Sequence, residues 1–191
     1  MKAAADRAIV ITGPSGAGKN TLISAVRERI PELAYAVSAT TRPPRKGERD
    51  GVDYHFLSPD EFAERVERGD FVEHESFSGY HYGTLRSEIE GKLAKGTSVM
   101  LDLEVKGARN LHRNLPGAYC VFVQPPSVEV LKSRLKKRGT ESAEQFRRRT
   151  DTALIELKAK DEFDATVVND RLGDAVDELT GLVRGALKSA G

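Results

Sequence analysis

The chain has a single cysteine, Cys120, among 191 residues, so it can close no internal disulfide and build no Cys-rich zinc site. Long apolar runs are missing: none approaches the roughly 20 residues that span a bilayer. Residues 1–7 hold no extended apolar stretch of the kind a secretory leader carries. Neither charge sign is in excess, with thirty Lys and Arg against twenty-nine Asp and Glu and a net charge of +1. That balance argues against a histone-like or polybasic membrane binder. Repeats and low-complexity tracts are also lacking. These absences predict a soluble, cytoplasmic protein without a nucleic-acid or membrane partner, as a monomer or small homo-oligomer. What is there is ordinary for a globular domain, 39% hydrophobic and 31% charged. A chain of this length can bury roughly 70% of its unfolded surface in its own core.

Apolar residues 8–12 run without interruption, as in a strand buried on both faces. They lead straight into Gly13-Pro14-Ser15-Gly16-Ala17-Gly18-Lys19-Asn20-Thr21. Leu22, Ile23, Val26 and Ile30 then recur at helical spacing until Pro31 stops the pattern. Residues 35–85 depart from this rhythm. Short β-like pieces at 36–41, 53–57, 71–77 and 80–84 surround one helix, which opens on Ser58-Pro59-Asp60-Glu61, a capping box with proline at its first position. Five aromatics here (Tyr54, Phe56, Phe62, Phe71 and Phe77) predict a small satellite core. The alternation then resumes with a helix over 85–95, a strand over 98–103, a short helix over 105–111 and a strand over 119–123. A helix over 127–137 precedes a second one from Ser142, with Gln145 completing another capping box. A last strand at 165–168 and an amphipathic C-terminal helix through Val176, Leu179, Leu182, Val183 and Leu187 follow. Strands alternating with helices predict a three-layer α/β fold, a parallel sheet covered on both faces.

Gly13 to Lys19 fits G-x-x-x-x-G-K between a strand and a helix, the context that a phosphate-binding loop requires. Glycines let backbone N–H groups turn inward around phosphate oxygens, and the helix N-terminus adds its dipole. Lys19 supplies a mobile cation for the β- and γ-phosphates. The next position, usually a Ser or Thr that holds magnesium, is Asn20, so the metal role is assigned to Thr21. A second anion site is suggested by Ser38-Ala39-Thr40-Thr41-Arg42-Pro43-Pro44-Arg45. Prolines restrict this loop, and two guanidinium groups near a hydroxyl suit a phosphate monoester. Taken alone, such a segment is more often a solvated loop; beside a phosphate-binding loop it reads as a second phosphate site. His55, His74, His81 and His112 show no metal-ligand spacing and are expected on the surface or in loops. Cys120, within an apolar strand, is expected to be a buried packing residue.

These residues resemble the guanylate kinase family. The resemblance rests on the phosphate loop, Ser-x-Thr-Thr-Arg-x-Pro-Arg, Gly51-Val52-Asp53-Tyr54-His55-Phe56, Phe71-Val72-Glu73, Tyr82-Gly83-Thr84 and Leu101-Asp102-Leu103-Glu104. It continues through Pro125-Pro126-Ser127, Arg138-Gly139 and Val168-Asn169-Asp170, so it covers most of the chain in order. The resemblance implies a P-loop kinase fold with an inserted β-rich GMP-binding lobe and a helical lid. The implied division is a core of residues 1–35, 86–137 and 150–191, a lobe over about 36–85 and a lid over about 138–149. It further implies that Gly13 to Thr21 with Arg134, Arg138 and Asn169 bind ATP. Ser38, Arg42, Arg45, Tyr54 and Tyr82 would grip the GMP phosphate, and Glu73, Thr84 and Glu104 would read guanine. Asp102 would lie near magnesium and the phosphates, and Arg138 and Arg149 would belong to the lid and its hinge. The family often has Asp where Glu104 stands, and Leu where Thr150 follows Arg149.

The chemistry agrees with that assignment. Guanine N1–H and N2–H₂ are donors and ionised carboxylates only accept, whereas neutral adenine lacks the N1–H, so two carboxylates disfavour AMP. Residues 132–149 hold eight basic side chains, able to neutralise a transferring phosphoryl group once a lid closes. The expected reaction is phosphoryl transfer from Mg-ATP to GMP or dGMP, giving ADP and GDP. One alternative is a P-loop kinase of a sugar phosphate such as ribose 1,5-bisphosphate, which needs neither Glu73 nor Glu104. Another is a non-catalytic module of the same fold that binds phosphopeptides, which has no use for Lys19 or the lid arginines.

Overall fold

The computed structural model describes residues 7–77, 79–136 and 143–189. Its elements in chain order are β1 (Ala8–Thr12), α1 (Lys19–Arg29), β2 (Ala34–Tyr35), β3 (Ala39–Thr40), β4 (His55–Phe56), α2 (Pro59–Glu67), β5 (Phe71–Phe77), β6 (Tyr80–Leu85) and α3 (Arg86–Leu93). Then follow β7 (Val99–Asp102), α4 (Val105–Asn114), β8 (Tyr119–Gln124), α5 (Val128–Lys136), α6 (Ala143–Leu157), a 3-10 turn at Lys160–Glu162, β9 (Ala165–Val168) and α7 (Leu172–Lys188).

Five strands form one sheet in the order β2-β7-β1-β8-β9, every pair parallel. Strand residues alternate between two faces, and β1 shows the consequence. Ile9 and Ile11 pack with Leu22, Val26, Leu179 and Val183 of α1 and α7. Ala8 and Val10 pack with Ile89, Leu111 and Leu101 on the side of α3 and α4. All five β1 residues are buried, as a strand covered on both faces demands. The expected three-layer α/β fold is present.

The second sheet is small, with strand order β4-β3-β6-β5. Its antiparallel β5–β6 hairpin carries a register shift between Phe71 and Glu73. The Ser58 capping box forms as read: Ser58 Oγ accepts the Glu61 N–H and the Glu61 carboxylate accepts the Ser58 N–H. Phe62 of α2 stacks on Phe71 at 4.5 Å, forming a satellite core with Ala39 and Leu85.

Several expectations need correction. Tyr54 and Phe56 do not join that satellite core; their rings lie under the Arg42 guanidinium at 5.3 and 5.8 Å. The helix expected to end at Leu111 continues to Asn114. The edge strand β2 was not foreseen, because two residues carry no periodicity. His55 is no loop residue: it sits half-buried in β4, with Nε2 3.2 Å from Glu88 Oε1. His112 is likewise half-buried, in α4. The expected helix start at Ser142, Arg138 and Gly139 lie outside the described residues, as does the side chain of Gln145.

Candidate active site

The loop between β1 and α1 folds back on the sheet so tightly that only glycine fits its first position. Gly13 has φ +142°, and a Cβ there would stand 2.1 Å from the Val123 carbonyl oxygen. Gly18, at φ +89°, caps α1 with no side chain on the first-turn N–H groups. Neither Asp nor Glu occupies that first turn, so the positive end of the helix dipole is left for an anion. Lys19 is only 8% exposed, and its Nζ donates to the Gly13 carbonyl at 2.9 Å. The same Nζ lies 4.0 Å from Asp102 Oδ1 and 3.9 Å from Glu104 Oε2. Asn20 and Thr21 are both exposed.

Three other chain segments hold this loop. Asn169, buried after β9, donates its Nδ2 to the Ala17 carbonyl at 2.8 Å. Arg134 of α5 donates to the Asn169 carbonyl at 2.9 Å and to the Ala17 carbonyl at 3.4 Å. Arg149 of α6 donates to Ser15 Oγ at 3.1 Å, and Glu156 on the same helix accepts the Ser15 N–H. Burial, then the nearby Glu104, pushes the Glu156 carboxyl up to about 7 against the pull of Lys19. Arg134 and Asn169, expected to contact ATP, both hydrogen-bond the loop backbone at Ala17.

The residues read as a second anion site lie on and around the small sheet. Arg42 is 8% exposed, and its Nη1 and Nη2 donate to the two carboxylate oxygens of Glu48 at 3.0 and 2.9 Å. Its guanidinium also bonds Tyr82, whose ring meets Tyr54 edge-on at 6.2 Å. Arg45 is exposed, and Ser38 is half-buried just before β3. Arg42, Tyr54 and Tyr82 thus come together as read, with Arg45 on the rim. Glu48 was not singled out in the sequence, although its place three residues after Arg45 let it accept the Arg45 N–H at 2.7 Å.

Glu73 of β5 is 4% exposed, and its Oε1 accepts the Thr84 hydroxyl at 2.8 Å across the hairpin. Its other oxygen abuts α4, where a Cβ on Gly107 would stand 2.7 Å away; that glycine leaves room for the carboxylate. Burial pushes Glu73 up to about 7, opposed by the Thr84 hydrogen bonds. Glu75, two residues on and so on the same face of the strand, is raised by burial and then by Glu104. Glu104 caps α4 at the end of the β7 segment, half-buried between this pair and Lys19. Glu75 and Glu156 escaped the sequence reading because nothing in local spacing separates them from ordinary surface acids.

Asp102 closes β7 beside Lys19. Burial raises its carboxyl against the attraction of Lys19. Asp102 Oδ1 and Thr12 Oγ1 are buried without a hydrogen-bond partner. A buried oxygen left unbonded is costly, and the Asp102 carboxylate is a hard oxygen donor of the kind that suits a cation such as magnesium.

The chain thus joins a phosphate loop at the carboxyl ends of a parallel sheet to a small sheet with an arginine–tyrosine cradle and a buried carboxylate. The guanylate kinase family model matches residues 5–186. A guanylate kinase of Frankia casuarinae is 50% identical over 93% of this chain and 96% of its own length. One from Mycobacterium tuberculosis is 45% identical over 96% of this chain and 89% of its own. The crystal structure of a guanylate kinase from Anaplasma phagocytophilum superposes with a TM-score of 0.76 at 27% identity, covering 95% of this chain and 86% of that one. A sugar kinase from Janibacter sp., at 17% identity and a TM-score of 0.55, shares the fold alone. With the family model spanning nearly the whole chain and relatives near half identity over most of it, this chain belongs to the guanylate kinase family.

Proposed function

We propose that the chain transfers the γ-phosphoryl group of Mg-ATP to GMP, and to dGMP, giving ADP and GDP. The observation that carries this reading is the buried Glu73, pinned by Thr84 in an acceptor lobe that also holds the Arg42–Tyr54–Tyr82 cradle. A nucleoside monophosphate that offers ring N–H donors at one end and a phosphate at the other matches those two features together. A sugar phosphate would leave the carboxylate without a purpose.

In this reading the backbone N–H groups of residues 13–19 and Lys19 hold the β- and γ-phosphates, and Lys19 leaves the Gly13 carbonyl to do so. Arg42, Arg45, Tyr54 and Tyr82, with Ser38 beside them, hold the acceptor phosphate. Glu73, Thr84 and Glu104 read guanine. No covalent nucleophile is required, since a GMP phosphate oxygen attacks directly and catalysis is positioning plus charge neutralisation. Asp102 and Thr21 would hold magnesium, which supplies neutralising charge to the phosphates when bound. Arg149 and Arg138 would add positive charge from the lid over about 138–149, the acceptor lobe being residues 36–85 and the core the remainder. Closure of lobe and lid would exclude water that otherwise hydrolyses ATP.

The test is ADP release from Mg-ATP with GMP, dGMP, AMP, CMP, UMP and ribose 1,5-bisphosphate in parallel. Turnover confined to GMP and dGMP is expected. Turnover with the sugar phosphate alone would keep the phosphate loop and remove the base-reading site.

A further inference from the structure

At the end of the main sheet opposite the phosphate loop, three side chains from distant parts of the sequence meet. Cys120 is the second residue of β8, His112 lies in the last turn of α4, and Asp164 immediately precedes β9. His112 Nδ1 is 3.3 Å from Cys120 Sγ. One imidazole nitrogen, the thiol sulfur and one carboxylate oxygen all lie within 4.8 Å of one another. Asp164 is fixed there by two bonds to a single residue: its Oδ2 accepts the Cys120 N–H at 2.7 Å, and its own N–H donates to the Cys120 carbonyl at 3.0 Å.

We propose that His112, Cys120 and Asp164 form a site for a borderline-soft divalent metal ion of the zinc class, separate from the nucleotide cleft. With metal–sulfur and metal–nitrogen bonds of about 2.3 and 2.0–2.1 Å, a tetrahedral centre sets these two ligand atoms about 3.5 Å apart. The His112–Cys120 pair already stands close to that. The donor set selects the metal: a thiolate and an imidazole suit zinc or cobalt, whereas magnesium demands oxygen. Three protein ligands leave a fourth position for water. Entry is from the side of Asp164, which is exposed, past half-buried His112. On binding, the Cys120 thiol gives up its proton to solvent as the sulfur–metal bond forms.

A nucleophilic role for the same Cys–His pair is excluded by access. Cys120 is fully buried, so no substrate carbon or phosphorus can reach its sulfur. The ion would instead tie α4, β8 and the segment before β9 at one point, beside the Arg109–Glu162 ion pair that already links α4 to that segment.

Cys120 is the only cysteine, so a cobalt–thiolate charge-transfer absorption reports this site and no other. The experiment is a Co²⁺ titration of the metal-free full chain, followed by Zn²⁺ competition. One ion per chain with an intense charge-transfer band is expected, displaced by Zn²⁺ and lost in Cys120→Ser. His112→Ala and Asp164→Asn, which keep the thiol, should each weaken Co²⁺ binding at least about tenfold, with turnover of Mg-ATP and GMP retained as a check on folding. Absence of the band in the wild-type chain overturns the proposal, leaving a thiol–imidazole hydrogen bond in a packed core. A band of unchanged affinity in His112→Ala overturns it equally.

Discussion

Glu48 grips Arg42 through both arms of its guanidinium, at 3.0 and 2.9 Å, while Tyr54 and Phe56 lie beneath the same group. Arg42 raises no solvent-facing fork of its own here; its direction is set by a carboxylate six residues away. The Glu48 carboxyl is held below the usual range, chiefly by the Arg42 hydrogen bonds and then by the Arg45 N–H.

If Arg42 receives the GMP phosphate, Glu48 is the residue that aims it. Losing both charge-assisted bonds that aim the guanidinium, Glu48→Ala should raise KM for GMP roughly tenfold. KM for ATP should barely move, because Glu48 touches nothing in the phosphate loop. Steady-state kinetics with each substrate varied separately checks this, and an unchanged GMP KM would remove Glu48 from the acceptor site.

The buried Glu73 gives a pH dependence with a definite sign. Burial pushes its carboxyl up to about 7 in the folded chain, above the 4.5 of an ordinary glutamate, so between these values the folded state binds more protons than the unfolded one. Its contribution to stability therefore declines as pH rises from about 4.5 to 7 and is constant above. Glu73→Gln removes that slope and should gain about 1–3 kcal/mol relative to wild type between pH 5 and pH 8. Base reading needs the ionised form, so kcat/KM for GMP should climb through about pH 7 in the wild type. The Gln variant should show low GMP turnover with that climb gone; a wild-type profile in Glu73→Gln would discharge Glu73 from guanine recognition.

Among the described residues Lys19 hydrogen-bonds only the Gly13 carbonyl, with two carboxylates near 4 Å. Lys19→Ala should lower kcat by about a hundredfold or more while circular dichroism and Tm stay close to wild type. Near-normal turnover would sink the assignment of the loop to phosphoryl transfer.

Much of this was legible in the sequence because it is local. β1, the phosphate loop, the Ser58 capping box and β5 follow from short-range patterns, and the observed β1, β5 and β9 bounds match the expected ones. The resemblance names Glu73 and Thr84 together, but their direct bond required the hairpin register. What stayed hidden depends on tertiary contact. Glu156 reaches Ser15 only because α6 lies over the loop. His112, Cys120 and Asp164 are brought together by three elements, so no sequence spacing announces them. Tyr54 and Phe56 read as core because aromatic content gives no face, whereas the fold turns them toward Arg42.

Asn169 separates two roles that the sequence could not. An edge contact to adenine would matter only when ATP is bound, but the buried Nδ2 already holds the Ala17 carbonyl at 2.8 Å and abuts Gly18, whose Cβ would stand 2.4 Å from it. Removing the amide leaves the Ala17 carbonyl with the longer Arg134 bond at 3.4 Å. Loss of a buried hydrogen bond with one partner left in place costs about 1–3 kcal/mol. Asn169→Ala should therefore lower the Tm of the nucleotide-free chain, and raise KM for ATP as the loop loosens. Thermal unfolding without nucleotide decides between the roles: a Tm equal to wild type, with only the ATP KM raised, would make Asn169 an adenine contact and not a brace for the loop.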